Sequence, residues 1–197
     1  MSAVEAWMCE VFLEAAGPLV ERGFSICECE AQRQHGSTLQ RIYLQADRHN
    51  HEDFGAFFVN VAITFDDLRG LDREEADPGI LDWSTRLQRL VPDVPSRWEL
   101  RKSTNLGEVA ARLGAALEGT LALLDSVRSP QDAISNLPEL EGFELILRAR
   151  LKYVSRDFDG ALADLVALHR RFPDRVDIRD IVTRENLSEL EPRISTA

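Results

Sequence analysis

Apolar and polar residues alternate through most of residues 24–64, and that period of two is the strongest constraint on what this chain can become. Three such runs separated by turn residues have to build a sheet. The runs are Phe24–Gln32, Thr38–Ala46 and Phe54–Thr64. In the first, Ser25, Cys27, Cys29 and Ala31 share a face, opposite Phe24, Ile26, Glu28 and Glu30. In the second, Ile42, Leu44 and Ala46 oppose Arg41, Tyr43 and Gln45. In the third, Phe57, Val59, Val61 and Ile63 oppose Ala56, Phe58, Asn60 and Ala62. His35-Gly36-Ser37 and the polar stretch Asp47–Asp53 supply the turns. Connections this short favour an antiparallel meander.

On both sides of this block the period is helical. Val4, Trp7, Met8, Val11, Phe12 and Ala15 form one face of an N-terminal helix. Gly17-Pro18 interrupts it, and Gly23 supplies a left-handed stop. From Asn105, which pairs with Glu108 as a cap, Leu106, Val109, Leu113, Leu117, Leu121 and Leu124 make a long apolar stripe. Gly114, Ala115, Ala116 and Gly119 on that helix let a neighbour approach closely. Between sheet and helix, Ile80–Val91 has the spacing of a short helix ended by Pro92 and Pro95. Arg97–Lys102 alternates around Trp98 and Leu100 as a fourth, shorter strand. Ser129-Pro130 starts another short helix, Ser129 as cap.

The tail is helical too. Leu145, Ala149, Ala161, Leu165, Leu168 and Pro173 stand close to the spacing of one tetratricopeptide repeat, with its aromatic displaced to Tyr153. One repeat cannot bury a solenoid core, so a plain helical hairpin joined near Arg156-Asp157 is the simpler expectation. Ile178–Leu190 fits a last helix. The expected class is therefore α+β: an N-terminal helix, a three- to four-stranded antiparallel sheet and a long packing helix over residues 1–127, then a helical extension over 128–197.

With 44% hydrophobic residues in 197, the chain can bury a core without staples. Its formal net charge is −11, and it has no basic run. Binding to nucleic acid or to anionic membrane surfaces requires clustered Lys and Arg, so neither is an expected partner. A basic protein partner is compatible with the charge. The acids Asp66, Asp67, Asp72, Glu74, Glu75 and Asp77 form a loop that reads as a solvated connector or as a docking patch for such a partner. The three cysteines, Cys9, Cys27 and Cys29, are too few and odd in number for a disulfide framework. The start of the chain has acids within its apolar pattern and no basic lead, unlike a signal peptide, and no apolar run spans a bilayer. A cytoplasmic location follows as the expectation.

Catalytic signatures are missing. There is no Gly-rich phosphate loop, nucleophile elbow or paired-histidine zinc helix. Cys27 and Cys29, with His35, His49 and His51 nearby, resemble a metal set only loosely; alternation places both cysteines among small residues, where cysteine behaves as a small hydrophobe. No metal, no cofactor and no catalytic residue is assigned. What stands out instead is the polar face of the sheet. If the strands pair in chain order, Glu28, Glu30, Arg41, Tyr43, Gln45 and Asn60 lie together, and Arg, Tyr and amides beside Phe58 have the composition of a recognition surface. The same residues also fit a covered face in which Gln45 and Asn60 are internal polar groups.

The order of features also carries a resemblance. Gly23-Phe24, Arg33, a strand with Gln45, Phe57-Phe58-Val59-Asn60-Val61, Arg86-Leu87, Arg97-Trp98-Glu99 and a long closing helix follow one another. This resembles a family of bacterial domains of unknown function, over roughly the first two-thirds of the chain. Where that family has a doubled tryptophan, Arg97 precedes Trp98 here. The resemblance implies an α+β fold and no reaction, and by analogy an immunity or accessory protein of a toxin or defence system. The function expected from the whole is a non-enzymatic, protein-binding module of the bacterial cytoplasm. The alternative is a small-molecule binder or enzyme with a pocket between sheet and C-terminal helices, converging on Gln45, Asn60 and Trp98.

Overall fold

The computed structural model describes residues 2–71, 83–138 and 144–194. The elements in chain order are α1 (Ala3–Ala15), α2 (Gly17–Glu21), β1 (Ser25–Cys27), β2 (Glu30–His35), β3 (Thr38–Ala46), β4 (Phe54–Phe65), β5 (Trp83–Arg86), β6 (Trp98–Arg101), α3 (Leu106–Ser126), α4 (Pro130–Asn136), α5 (Glu144–Val154), α6 (Phe158–Arg171), α7 (Ile178–Arg184) and α8 (Glu191–Ile194). The class is α+β. They form two compact units, one of residues 1–35, 39–63 and 84–125, the other of 36–38, 64–83 and 126–197. Among the described residues no helix is long and apolar enough to cross a membrane.

The first unit holds most of a six-stranded sheet in the order β1-β2-β3-β4-β5, with β6 also on β4. Ala56 turns both its N–H and its C=O toward the Asp47–Asn50 turn, to the side-chain amide of Asn50 and to the N–H of Asp47. Its neighbours therefore present their backbone groups to the opposite edge, where Gly55 pairs with Leu100 and Phe57 with Trp98. α1 starts in a full capping box between Ser2 and Glu5 and buries Val4, Met8, Val11, Phe12 and Ala15. A Cβ on Gly55 would overlap the Val4 side chain, so α1 lies directly on β4. α3 buries Leu113, Leu117, Leu121 and Leu124, and its Gly114 comes within 3.3 Å (measured from an added Cβ) of the Ala15 carbonyl. The small residues of that helix thus serve close packing.

Three sequence expectations are corrected here. The run 24–32 is not one strand but the hairpin β1–β2, with Ser25 opposite Gln32 and Cys27 opposite Glu30. Its two-residue turn places Glu28 at a φ of 52°, a conformation usually left to Gly or Asn. No Gly, Pro, Asn or Asp marks it, which is why alternation alone runs straight through. The described part of the run Ile80–Val91 is not one helix: Trp83–Arg86 is strand β5, and Leu87–Arg89 is a 3-10 helix, while residues 80–82 lie outside the described residues. Trp and Thr suit a pleated surface, and the free edge of β4 gives them a ladder. The sheet accordingly has six strands instead of three or four. The cysteines differ as well: Cys9 on α1 and Cys29 in the hairpin turn form a disulfide with Cα atoms 4.9 Å apart, and Cys27 is free and exposed. The turn, which alternation misses, separates the two cysteines that would otherwise share a face.

The inner face of β2 and β3 carries a buried polar cluster. Arg33 gives its Nε to Gln40 Oε1 (2.9 Å), its Nη1 to the Arg22 carbonyl (2.8 Å) and its Nη2 to Asp125 (2.6 Å), and its guanidinium lies 4.5 Å from the Phe24 ring centroid. Gln40 donates to the Leu124 carbonyl at 2.7 Å, one of the orphan acceptors at the end of α3. This cluster pins the C-terminus of α3 to the sheet.

In the second unit, α5 and α6 form an antiparallel hairpin around Leu145, Ala149, Tyr153, Ala161, Leu165 and Leu168, joined through Arg156 at φ 66° and capped by Asp157. Asp164, buried on α6, takes both Arg148 (2.7 Å and 2.9 Å) and Lys152 (2.9 Å). The final helix expected over Ile178–Leu190 is shorter: α7 ends at Arg184, and Ser188–Leu190 is a 3-10 turn. Asn186, at φ 54°, explains the break.

Candidate functional site

The outer face of the sheet is fixed by two hydrogen bonds at opposite ends of the β3–β4 ladder. Asp47 N–H donates to the Ala56 carbonyl at 2.9 Å, and Asp66 N–H donates to the Ser37 carbonyl at 3.0 Å. Both imply one register with no bulge between them. It sets Arg41 opposite Ala62, Tyr43 opposite Asn60 and Gln45 opposite Phe58, all on the face away from α1 and α3.

Along this face the residues fall into a half-buried strip that ends on exposed Gln45, and a buried patch. Arg41, half-buried, makes a two-pronged bond to Glu30 (2.7 Å and 3.1 Å) and stands 5.6 Å from the Tyr43 ring centroid. An ion pair this exposed contributes on the order of 0–1 kcal/mol. Its effect is to orient the guanidinium, not to hold the fold. Gln45 is exposed. Next to the strip, Asn60 is only 8% exposed, and Ala56 and Ala62 are fully buried. Arg86 of β5 lies over the Phe58 ring, 4.3 Å from its centroid. Asn60 Nδ2 and Arg86 Nη1 are both buried, and neither has an acceptor among the described residues. An orphaned buried donor costs about 1–3 kcal/mol.

So the sheet brings together Glu30, Arg41, Tyr43, Gln45 and Asn60. Glu28 stays apart in the β1–β2 turn, exposed. Trp98 is on the opposite face: it stacks on Phe57 with ring planes 6° apart and centroids 6.0 Å apart, and Arg112 lies 5.8 Å from its centroid. It borders a shallow pocket of about 270 Å³ with Val91, Pro92, Pro95 and Ala116. A convergence of Gln45, Asn60 and Trp98 on one cavity is therefore ruled out, since the sheet lies between them. Arg86 is the residue that sequence reasoning missed as part of the face, because its segment has helical spacing. The signal was Phe58, an aromatic on the polar face that needed a partner.

The turn Asp47–Asp53, with its two histidines, is built from local bonds. Asp47 accepts from His49 N–H (2.9 Å) and from Arg97 (2.8 Å), and Lys102 pairs with Asp53. The His49 backbone bond, followed by Arg97, holds the Asp47 carboxyl below the ordinary aspartate range. A group lowered in this way contributes stability above the unfolded value near 3.8, and that contribution is lost as pH falls through its lower folded value. In a carboxyl-detected NMR titration Asp47 is expected to protonate at lower pH than an ordinary aspartate. Arg97→Ala should raise its midpoint part of the way, and an unchanged midpoint would show that the Arg97 bond is absent in solution. Cys29 is consumed by its disulfide, and among the described residues no group of three or more His, Cys, Asp or Glu is placed to hold a metal.

A depression of about 580 Å³ lies in the second unit beside His169, Asp174, Arg175, Asp177, Arg179 and Ile194. His169 Nδ1 is bonded to the Val176 carbonyl at 2.6 Å, so its ring is part of the scaffold. The remaining ionic groups along this segment, Asp174, Arg175, Asp177 and Arg179, alternate in sign, and Asp177 accepts from the Arg179 N–H at 2.8 Å.

Residues 38–136 match the family described as tetracyclin repressor-like, C-terminal domain, and the chain belongs to that family. The match opens on the first residue of β3 and closes on the last of α4. It thus contains Gln45, the Phe57–Val61 strand, Trp98 and the long helix, most of the features that resembled a family of unknown function, while Gly23-Phe24 and Arg33 precede it. That resemblance is corrected: weak motifs in a shared order belong here to a described family. The immunity or accessory role, an analogy drawn from the resemblance alone, falls with it. No curated protein and no solved structure matches the chain.

Proposed function

We propose that the chain is a non-enzymatic regulatory binding module that meets a protein partner through the partly exposed strip Glu30, Arg41, Tyr43 and Gln45. One observation carries the reading. A cation, an aromatic ring and an amide are held side by side by a continuous backbone ladder, and Arg and Tyr are the residues most often dominant in protein interfaces. The net charge of −11 favours a basic partner and a salt-sensitive association. The family description, which names the C-terminal domain of a repressor-like protein, supports a regulatory setting. The reading places the protein in the cytoplasm, where the local redox poise would set the state of the Cys9–Cys29 bond.

Affinity enrichment from the native host tests this. The wild-type chain is expected to retain a stoichiometric partner that Arg41→Glu with Tyr43→Ala binds at least about tenfold more weakly, as expected for loss of two hot-spot side chains. Equal retention by the double variant would move the interface elsewhere. A second reading, a small-molecule-responsive module, is favoured by the family description of a repressor-like C-terminal domain.

A further inference from the structure

We propose that the outward face of α1 and α2 is a docking surface for a basic amphipathic helix of a partner protein. It is separate from the outer strip of the sheet and does not rest on it, because α1 lies on the sheet's other face. Leu13 and Val20 are 57% and 56% exposed, and no other large apolar side chain among the described residues is so open. Scattered singly, such residues need no explanation, but these two stand on one stripe. Phe12, Ala15, Ala16 and Leu19 are buried at helical spacing across the break at Gly17-Pro18, and the Val20 N–H donates to the Ala16 carbonyl at 3.0 Å. Leu13, Gly17 and Val20 each stand one residue after Phe12, Ala16 and Leu19, so they keep that spacing on an outward face. Exposed Ala6 extends the stripe toward the start of α1. Nothing lies within 4 Å of where a Gly17 Cβ would stand, so the ground between Leu13 and Val20 is open to a neighbouring helix.

The borders of the stripe define the occupant. Glu10, Glu14 and Glu21 are exposed and follow one another along one side of it. On the other side Cys9 is bonded to Cys29, which sets the exposed Glu28 of the β1–β2 turn beside the helix. No Lys or Arg stands between Ala3 and Glu21. Two copies of the chain laid face to face would bring these acids together, so self-association is opposed. An apolar seam between carboxylates instead matches a helix with aliphatic side chains at three- and four-residue spacing and Lys or Arg on its flanks. Two large and two small side chains offer the area of a transient contact, one that weakens as salt rises.

Titration of the full chain with a synthetic lysine–leucine peptide of about fourteen residues, about 21 Å long as a helix with its leucines on one face, tests the surface. Backbone amide shifts of labelled protein give both site and affinity. The expected result is saturable one-to-one binding with the largest shifts at Ala6, Leu13, Gly17 and Val20. Leu13→Ser with Val20→Ser should weaken it at least about tenfold, as should replacing the peptide's leucines by serine, since each removes the apolar contact. Glu10→Gln with Glu21→Gln should weaken it about threefold and flatten its salt dependence. Arg41→Glu with Tyr43→Ala should bind the peptide as the wild type does, so failure of this surface and failure of the outer strip are separately visible. Equal binding of the serine peptide would mean attraction by net charge alone and would overturn the proposal. So would unchanged affinity in Leu13→Ser with Val20→Ser, shifts centred away from α1 and α2, or a concentration-dependent dimer without peptide that this double variant abolishes. If the double variant does not melt as the wild type does, the wild-type shift map and the serine peptide decide.

Discussion

Arg33→Ala is expected to destabilise the protein by about 3–5 kcal/mol, the loss typical of breaking a buried charged network from one side. The side chain of Arg33 is 7% exposed and spends its guanidinium on three acceptors from three places in the chain: Gln40, Asp125 and the Arg22 carbonyl. Truncation leaves Gln40 Oε1 and the Arg22 carbonyl without this donor. Asp125 is 28% exposed and keeps Arg22, so it is the least damaged of the three. Arg33→Met should lose less than Arg33→Ala, by about 1 kcal/mol, because the aliphatic stem against Phe24 is partly replaced. Urea unfolding of both variants measures this. A loss below about 1 kcal/mol for alanine would mean that the cluster is already solvated, since surface pairs are worth that little.

The second large effect concerns Cys9 and Cys29. Their bond closes a sequence separation of 20 residues. Restricting the unfolded chain over a loop of that length is worth about 3 kcal/mol in the chain-entropy account. Cys9→Ser is therefore expected to lower Tm by roughly 6–12 °C for a chain of this size. Dithiothreitol should lower the wild type by a similar amount and leave Cys9→Ser unchanged. Cys27→Ser should be near neutral, because Cys27 is exposed and free. A reductant-insensitive wild type would show that Cys9 and Cys29 stay as thiols and that α1 is held to the hairpin by packing alone.

How far the sequence carried depends on where the physics is local. α1, β3, β4 and α3 were legible because each sustains one period over many residues: Val4 to Ala15, Thr38 to Ala46, Phe54 to Thr64 and Leu106 to Leu124. The α5–α6 hairpin was legible for the same reason. What failed was short or non-local. Glu28 and Cys29 make a turn without any turn-forming residue, so the hairpin was hidden. Trp83–Arg86 takes its strand identity from the edge of β4, which no window of sequence contains. The Cys9–Cys29 bond depends on where α1 sits, which is a tertiary fact.

The candidate face divides in the same way. Arg41, Tyr43, Gln45 and Asn60 share a face because β3 and β4 alternate and pair without a bulge, and both properties are visible in the residues themselves. Whether each is exposed was not visible. Burial splits them, with Gln45 open and Asn60 enclosed, and this divides one polar face into an accessible strip and a buried patch. Trp98 was misplaced because strand parity can be read within β6 but not relative to β4 without knowing that Phe57 pairs with it.

The account centres on the outer face of the sheet as the recognition surface. Its most direct test is a backbone and side-chain chemical-shift map of the protein bound to the partner that affinity enrichment identifies. The account predicts that the largest changes fall on Glu30, Arg41, Tyr43 and Gln45, with little change on α3 or on the α5–α6 hairpin. Changes concentrated on either helical surface, with the outer strip unperturbed, would contradict it.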